Sequence, residues 1–171
     1  MSHESTIRCF PAPWSGALRV ITGLTAAALV ILVVVGLVLP PMPLPARLAM
    51  VLLPPLFLVA GALFAICGYE LTTGSLLVLR PGWKTRLPLA GLKSAVADPK
   101  ATSRTLRTCG NGGFFSFSGW YYNKALGAYR MFATDPARAV VLTFEKRRVV
   151  VTPDDPEAFV RCVSEQFRLA R

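Results

Sequence analysis

The distribution of apolar residues divides the chain into two unlike parts. Two apolar runs, residues 20–39 and 48–68, contain no charged side chain and are joined by eight residues rich in proline. A helix of about 20 residues is about 30 Å long, which matches the hydrocarbon core of a bilayer. Both runs are therefore predicted to be transmembrane helices, and the short link forces them into a hairpin.

Each apolar run has an alternative to a retained transmembrane helix. A cleaved signal peptide has a shorter apolar region and a small-residue cleavage site, whereas the first run is longer and ends at Leu39-Pro40-Pro41. The second run contains Pro54-Pro55, so the core helix of a soluble protein is the alternative there. A helix that begins near Arg47 and kinks at the prolines keeps enough length to span a membrane. We expect a retained hairpin.

Lysine and arginine residues near the apolar runs predict the orientation of the hairpin. Five flank the two runs, namely Arg8, Arg19, Arg80, Lys84 and Arg86. Only Arg47 lies in the link. Because cytoplasmic loops are enriched in these residues, both termini are predicted to be cytoplasmic, in a multi-pass protein of the cytoplasmic (inner) membrane.

The predicted organisation follows from these boundaries. It comprises a cytoplasmic tail (1–19), a first transmembrane helix (20–39), an external loop (40–47), a second transmembrane helix (48–68) and a cytoplasmic domain (69–171). Trp14 and Tyr69, just outside the two helices, are predicted to anchor at the membrane interface, where amphipathic aromatic side chains are enriched.

The pattern after residue 68 is typical of short strands separated by turns. Alternation and turn residues predict strands over 69–73, 75–80, 83–89, 91–97, 114–122, 128–134, 139–145 and 148–152. The stretch 100–108 is polar and looser, and 110–113 (Gly-Asn-Gly-Gly) is predicted to be a tight connection between strands. Many short strands at close spacing predict an antiparallel sandwich or a small barrel.

The last segment changes to a helical period. The sequence Thr152-Pro153-Asp154-Asp155-Pro156 supplies a capping acid and a proline for the first helical position. Phe159, Val160, Val163 and Phe167 then recur at helical spacing. We therefore predict an amphipathic helix that closes the β-structure.

At this point the chain resembles a known family. The segment GNGGFFSFSGWYYNKALGAYRMFATDPARAVVLTF, followed by RRVVVTPDDPEAFV, is similar to the bacterial pleckstrin-homology-like (PH-like) domains. The resemblance is strongest from Gly110 to Val160, and the two apolar runs match the membrane-anchored members. It implies a split seven-stranded barrel capped by a C-terminal helix, with no known catalytic residue. The basic lipid-phosphate motif of the eukaryotic relatives has no counterpart here.

Candidate chemical sites each have a structural explanation. Asp154, Asp155 and Glu157 suit a cation or helix capping, and we expect capping. The aromatic residues of 114–122 could form a binding patch or pack in the hydrophobic core. Because alternation places Phe115 and Phe117 on one face, we expect them to pack in the core. His3 is the only histidine, and the four cysteines show no zinc or disulfide spacing. We therefore predict no catalytic residue, cofactor or metal.

Charge supplies the remaining indication of function. The chain carries a net charge of +10, and residues 69–171 hold sixteen Lys and Arg against eight Asp and Glu. Such a domain is attracted to anionic lipid, and Arg80, Lys84 and Arg86, close after the second apolar run, are the predicted membrane-surface contacts. The alternative is that these three residues only set the topology. Nucleic acid is a poor candidate partner for a membrane-tethered chain without a recognition helix.

These observations predict a non-enzymatic integral membrane protein. Its two transmembrane helices would be followed by a mainly-β PH-like split barrel that binds a protein or a lipid headgroup at the cytoplasmic membrane surface. The predicted partners are the lipid bilayer, an unknown protein and anionic lipid headgroups. The alternative is a small accessory subunit of a larger membrane complex.

Overall fold

The apolar part of the chain forms two helices. The computed structural model describes residues 6–39 and 42–167, and helices α1 (Gly16–Val38) and α2 (Leu44–Leu63) are both long and apolar enough to cross a membrane. Only 11% of the apolar window of α1 and 6% of that of α2 are buried. A core helix of a soluble protein would be mostly buried, so this exposure argues against that alternative for the second run.

The two helices contact each other closely at the far end of the hairpin. A Cβ atom added at Gly36 of α1 would lie 2.9 Å from the Cβ atom of Met50 of α2. Pro54 and Pro55 lie inside α2, which continues through them as predicted. The second helix ends at Leu63 rather than at residue 68, because the chain turns there and enters the β-domain at Gly68.

One sheet joins strands from both sides of the hairpin. Strands β1 (Thr6–Pro11), β2 (Gly68–Thr72), β3 (Ser75–Arg80) and β4 (Trp83–Pro88) form an antiparallel sheet in that order. No strand was predicted for residues 1–19, yet β1 pairs with β2 along its length. The partner of β1 lies beyond the whole hairpin, so no local hairpin signal exists for this strand.

The second sheet carries the remaining strands. It contains β5 (Leu92–Ala97), β6 (Leu106–Gly112), β7 (Phe117–Asn123), β8 (Gly127–Ala133), β9 (Val140–Phe144) and β10 (Arg148–Val151). Their order is β5-β9-β10-β8-β7-β6, and a short 3₁₀ turn (Pro136–Arg138) precedes β9. All neighbours are antiparallel except β10 and β8, which are parallel. The described residues thus hold ten strands, where the family resemblance implied seven.

Helix α3 (Pro156–Phe167) closes the main core between the sheets. Asp155 caps it, because its Oδ1 accepts a hydrogen bond of 2.9 Å from the backbone N–H of Ala158. Phe159 and Val163 are fully buried, and the ring of Phe159 meets that of Phe10 of β1 edge to face at 5.1 Å. The predicted architecture, an apolar hairpin followed by a mainly-β domain with a closing helix, is confirmed.

Tyr69 belongs to this core and not to the membrane interface. Its side chain is fully buried, and its hydroxyl donates to the carbonyl of Phe132 at 2.7 Å and accepts from the N–H of Thr152 at 3.1 Å. Burial raises the pKa of Tyr69 to about 12. The interface-anchor prediction for Tyr69 is therefore wrong, because the chain has already entered β2 at that position.

We expect replacement of Phe159 by Ala to destabilise the domain by about 3 to 5 kcal/mol, because a fully buried ring is removed from the core. Phe10→Ala should cost a comparable amount, since Phe10 packs on the same ring from a strand that precedes the hairpin. Urea unfolding of the full chain in detergent, followed by tryptophan fluorescence, measures both. Arg161→Ala, at an exposed position of α3, is the control. Unchanged stability in Phe10→Ala would remove β1 from the folded core.

Candidate ligand-binding groove

The loop between β6 and β7 lies between the two helices at the base of the hairpin. Its two aromatic residues, Phe114 and Phe115, are called the wedge. The Phe114 ring stacks on Phe57 of α2, with centroids 5.2 Å apart. The Phe115 ring meets Trp14, just before α1, edge to face at 5.9 Å. The wedge therefore joins both helices to the second sheet.

Polar contacts fix the backbone of this loop. Thr22 of α1, which is 7% exposed, donates through Oγ1 to the carbonyl of Gly113 and accepts from the N–H of Phe115, at 3.2 and 3.0 Å. Asn111 Oδ1 accepts from the N–H of Phe114 at 2.9 Å. Phe115 has a φ of +63°, in the left-handed region that non-glycine residues rarely adopt. These bonds hold that conformation in place.

The wedge corrects two expectations from the sequence. The tight connection lies at residues 113–116, while Gly110, Asn111 and Gly112 belong to β6. Phe115 does not share the core with Phe117, because the turn itself separates them. Phe117 is half-buried against the second core cluster, around Tyr121 and Tyr129.

The C-terminal end of α2 is capped by side chains from the β-domain. Trp83 Nε1 donates to the carbonyl of Leu63 at 2.9 Å, and Ser116 Oγ donates to the carbonyl of Phe64 at 3.1 Å. The Arg80 guanidinium also donates to the carbonyl of Phe64. It lies 4.8 Å from the centroid of the Trp83 ring, and the residue is only 7% exposed.

The structure does not bring the three predicted membrane contacts together. Arg80 faces the hairpin base, whereas Lys84 forms an ion pair of 2.6 Å with Glu70. Arg86 Nε donates to Ser75 Oγ at 3.1 Å. Lys84 and Arg86 point to the face of β4 opposite Thr85, the residue that Arg80 contacts at 3.3 Å. Membrane contact by these residues stays a prediction.

A groove of about 810 Å³ opens between the hairpin base and the outer face of the second sheet. We call it the arginine groove, because Arg80, Arg107 and Arg130 line it together. The other lining residues are Thr25, Phe57, Ala60, Gly61, Phe64, Trp83, Thr85, Cys109, Gly110, Asn111, Phe114, Ser118, Gly119, Trp120 and Phe132. None of these is acidic, and within the described ranges none of the three arginines forms an ion pair.

Positive charge in the groove is concentrated around one aromatic ring. The guanidinium carbons of Arg80 and Arg130 lie 5.8 and 4.9 Å from the centroid of the Phe132 ring. Burial lowers the pKa of Arg80, and the positive charge of Arg130 acts in the same direction. An anion bound here would offset this repulsion, because opposite charges attract most strongly where water is partly excluded.

The floor of the groove is backbone. At the paired Gly110 and Gly119 the strands approach so closely that a Cβ atom on Gly119 would lie 2.2 Å from the carbonyl oxygen of Cys109. Gly119 also has a φ of +144°, so a side chain there would be strained. These two glycines therefore keep the sheet face open between Trp120 and the wedge.

A second, apolar cavity of about 790 Å³ lies between the helices. It is lined by Leu29, Leu32, Ala49, Met50, Leu53, Pro54, Leu56, Phe57 and Ala60. Phe57 and Ala60 also line the arginine groove, so the two cavities meet at these residues.

Arg80 was among the residues singled out from the sequence, whereas Arg107 and Arg130 were not. These two residues lie on β6 and β8, neighbours of β7 in the sheet but far apart in sequence. Arg130 lies opposite Trp120 across β7 and β8, and its guanidinium is 5.9 Å from the centroid of that indole ring. The only local signal was the run of aromatic residues in 114–122. Of these, Trp120 is 50% exposed and lines the groove, while Tyr121 is in the core.

In the described residues, a β-domain of two sheets closed by a C-terminal helix follows an apolar hairpin, which is the arrangement that the family resemblance implied. The bacterial PH domain family matches residues 67–166, more than half of the chain. The chain therefore belongs to the bacterial PH domain family, as its resemblance from Gly110 to Val160 predicted. No curated protein and no solved structure matches it.

Replacement of Gly61 by Ala tests the attachment of the wedge to α2. A Cβ atom there would lie 2.2 Å from a ring carbon of Phe114, so the ring must leave its stack on Phe57. We expect faster hydrogen exchange in residues 113–116, measured by mass spectrometry on the full chain in detergent.

Gly23→Ala is the matched control, since a Cβ atom on that glycine of α1 meets nothing within 4 Å. It should leave exchange in the loop unchanged. Equal hydrogen exchange in the two variants and the unaltered chain would show that the conformation of the wedge does not depend on the packing of Phe114 at Gly61.

Proposed function

We propose that the chain is a non-enzymatic integral membrane protein that binds an anionic lipid headgroup in the arginine groove. Its hairpin crosses the cytoplasmic membrane, with both termini and the PH-like domain on the cytoplasmic side. The observation that carries the proposal is the convergence of Arg80, Arg107 and Arg130 on one groove without an acidic partner among the described residues. Arg80 is only 7% exposed, and a buried arginine normally has such a partner.

The position of the groove supports a lipid as the source of the anion. It lies at the end of the hairpin that the Lys and Arg distribution assigns to the cytoplasmic side, where the leaflet carries anionic lipid. Trp83 and Trp120 are 41% and 50% exposed at the groove. Exposed tryptophan next to arginine is typical of the headgroup level of a membrane.

The side chains also suit the chemistry of a phosphate. A guanidinium group can donate two parallel hydrogen bonds to phosphate oxygens, which gives both strength and orientation. Arg107 and Arg130 are the exposed members of the set, whereas Arg80 is buried and also caps α2. We therefore assign direct phosphate contact to Arg107 and Arg130, and electrostatic support to Arg80.

The double variant Arg107→Gln/Arg130→Gln tests this assignment without disturbing the cap on α2. The full chain, released from uncharged detergent micelles that contain equal amounts of phosphatidylglycerol and phosphatidylcholine, is analysed by native mass spectrometry. We expect the unaltered chain to retain phosphatidylglycerol preferentially. Each arginine contributes about 1 kcal/mol near anionic lipid, so the double variant should lose about 2 kcal/mol, or roughly 30-fold of that preference.

Arg104→Gln/Arg161→Gln removes the same charge at two exposed positions outside the groove and should keep the preference. Equal losses in the two double variants would indicate a general effect of net charge. No preference for phosphatidylglycerol in the unaltered chain would contradict the proposed function and leave a protein as the partner to be sought.

A further inference from the structure

We propose that the arginine groove and the apolar cavity form one binding site for an intact anionic phospholipid, with one acyl chain held between α1 and α2. This inference rests on the proposed function and specifies its ligand: a lipid that enters from the bilayer, and not a free phosphate compound from the cytoplasm.

The arginine groove and the apolar cavity are neighbours. They share Phe57 and Ala60, so a ligand that occupies both would cross from one to the other at these residues. Polar and charged residues line only the first cavity, and all nine residues that line the second are apolar. This change from charged to apolar along one path matches a phospholipid, whose phosphate adjoins its acyl chains.

The length of the apolar cavity suits an acyl chain. The apolar cavity runs along α2 from Ala60 to Ala49. Eleven residues of helix correspond to roughly 16 Å, which is about half of the ~30 Å hydrocarbon core. That length is comparable with the apolar thickness of one leaflet, and therefore with a single acyl chain.

The contacts at the two ends of the apolar cavity agree with this arrangement. Near the base of the hairpin, Phe114 stacks on Phe57, which lines both cavities. At the other end Gly36 packs directly on Met50, a residue that lines the apolar cavity. The apolar cavity therefore lies beside the arginine groove at one end and meets close helix contact at the other.

Photo-crosslinking of the full chain in phosphatidylcholine nanodiscs tests the site. One sample contains a trace of phosphatidylglycerol with a diazirine group in its acyl chain, and a second contains phosphatidylcholine with the same label. We expect the phosphatidylglycerol probe to label Leu29, Leu32 and Leu53 several-fold more than the phosphatidylcholine probe does. Exposed residues elsewhere on the helices, such as Leu37 and Val59, should react equally with both probes.

Ala49→Phe should fill the apolar cavity and abolish the excess labelling, while preferential retention of phosphatidylglycerol through the arginines continues. Ala27→Phe is the matched control. Ala27 is exposed and lies two residues from Leu29, on the opposite side of α1, so the excess should persist. The comparison of the two probes on the unaltered chain decides the question even if Ala49→Phe fails to fold.

The outcomes separate this inference from the proposed function. Equal labelling by both probes, with phosphatidylglycerol still retained preferentially, would overturn the acyl-chain site and leave headgroup binding intact. Protection of Leu29, Leu32 and Leu53 from both probes would show that protein, such as a second copy of the chain, covers the cavity, and would also overturn it. If the unaltered chain does not retain phosphatidylglycerol preferentially, both proposals are contradicted.

Discussion

The cap on the C-terminal end of α2 is the contact on which the arrangement of hairpin and β-domain depends. The last carbonyls of a helix have no partner within it, and an unpaired carbonyl near a bilayer is costly. Here the carbonyls of Leu63 and Phe64 accept hydrogen bonds from Trp83 of β4, Arg80 of β3 and Ser116 beside β7. Both sheets therefore contribute to one helix end. The same contacts hold Arg80 and Trp83 in the positions where they line the groove. The hydrogen bonds that attach the hairpin to the β-domain therefore also position side chains of the candidate site.

The hairpin is also built into the fold and is not a tether appended to it. It leaves the first sheet after β1 and returns at β2, the neighbouring strand, and Pro11 and Gly68 are paired at its base. Phe10 of β1 then packs on Phe159 of α3 in the main core. A soluble fragment that starts at residue 69 would lack an edge strand and a core ring, so binding studies require the full chain. This connection also fixes the distance and angle between the arginine groove and the helices.

Most elements were predictable because their signals are local. The apolar runs, the alternating strands and the cap of α3 are each determined by residues close together in the sequence, and the structure contains helices, strands and a cap at these places. The parts that were missed depend on distant pairing: β1 has its partner beyond the hairpin, and β6 is an exposed edge strand without alternation. The candidate site also depends on pairing between residues that are far apart in the sequence. Arg80 was noticed through its distance from the second apolar run, but its convergence with Arg107 and Arg130 follows only from the sheet order.

In the proposed site, a lipid phosphate lies against Arg107 and Arg130 at the base of the hairpin. Solid-state NMR measures this contact most directly, through nitrogen–phosphorus dipolar dephasing in phosphatidylglycerol bilayers that contain the full chain with ¹⁵N-labelled arginine. The account predicts strong dephasing of guanidinium nitrogens at hydrogen-bond distance from phosphorus, reduced in Arg107→Gln/Arg130→Gln and retained in Arg104→Gln/Arg161→Gln. Dephasing that is absent, or equal in the two double variants, would contradict it.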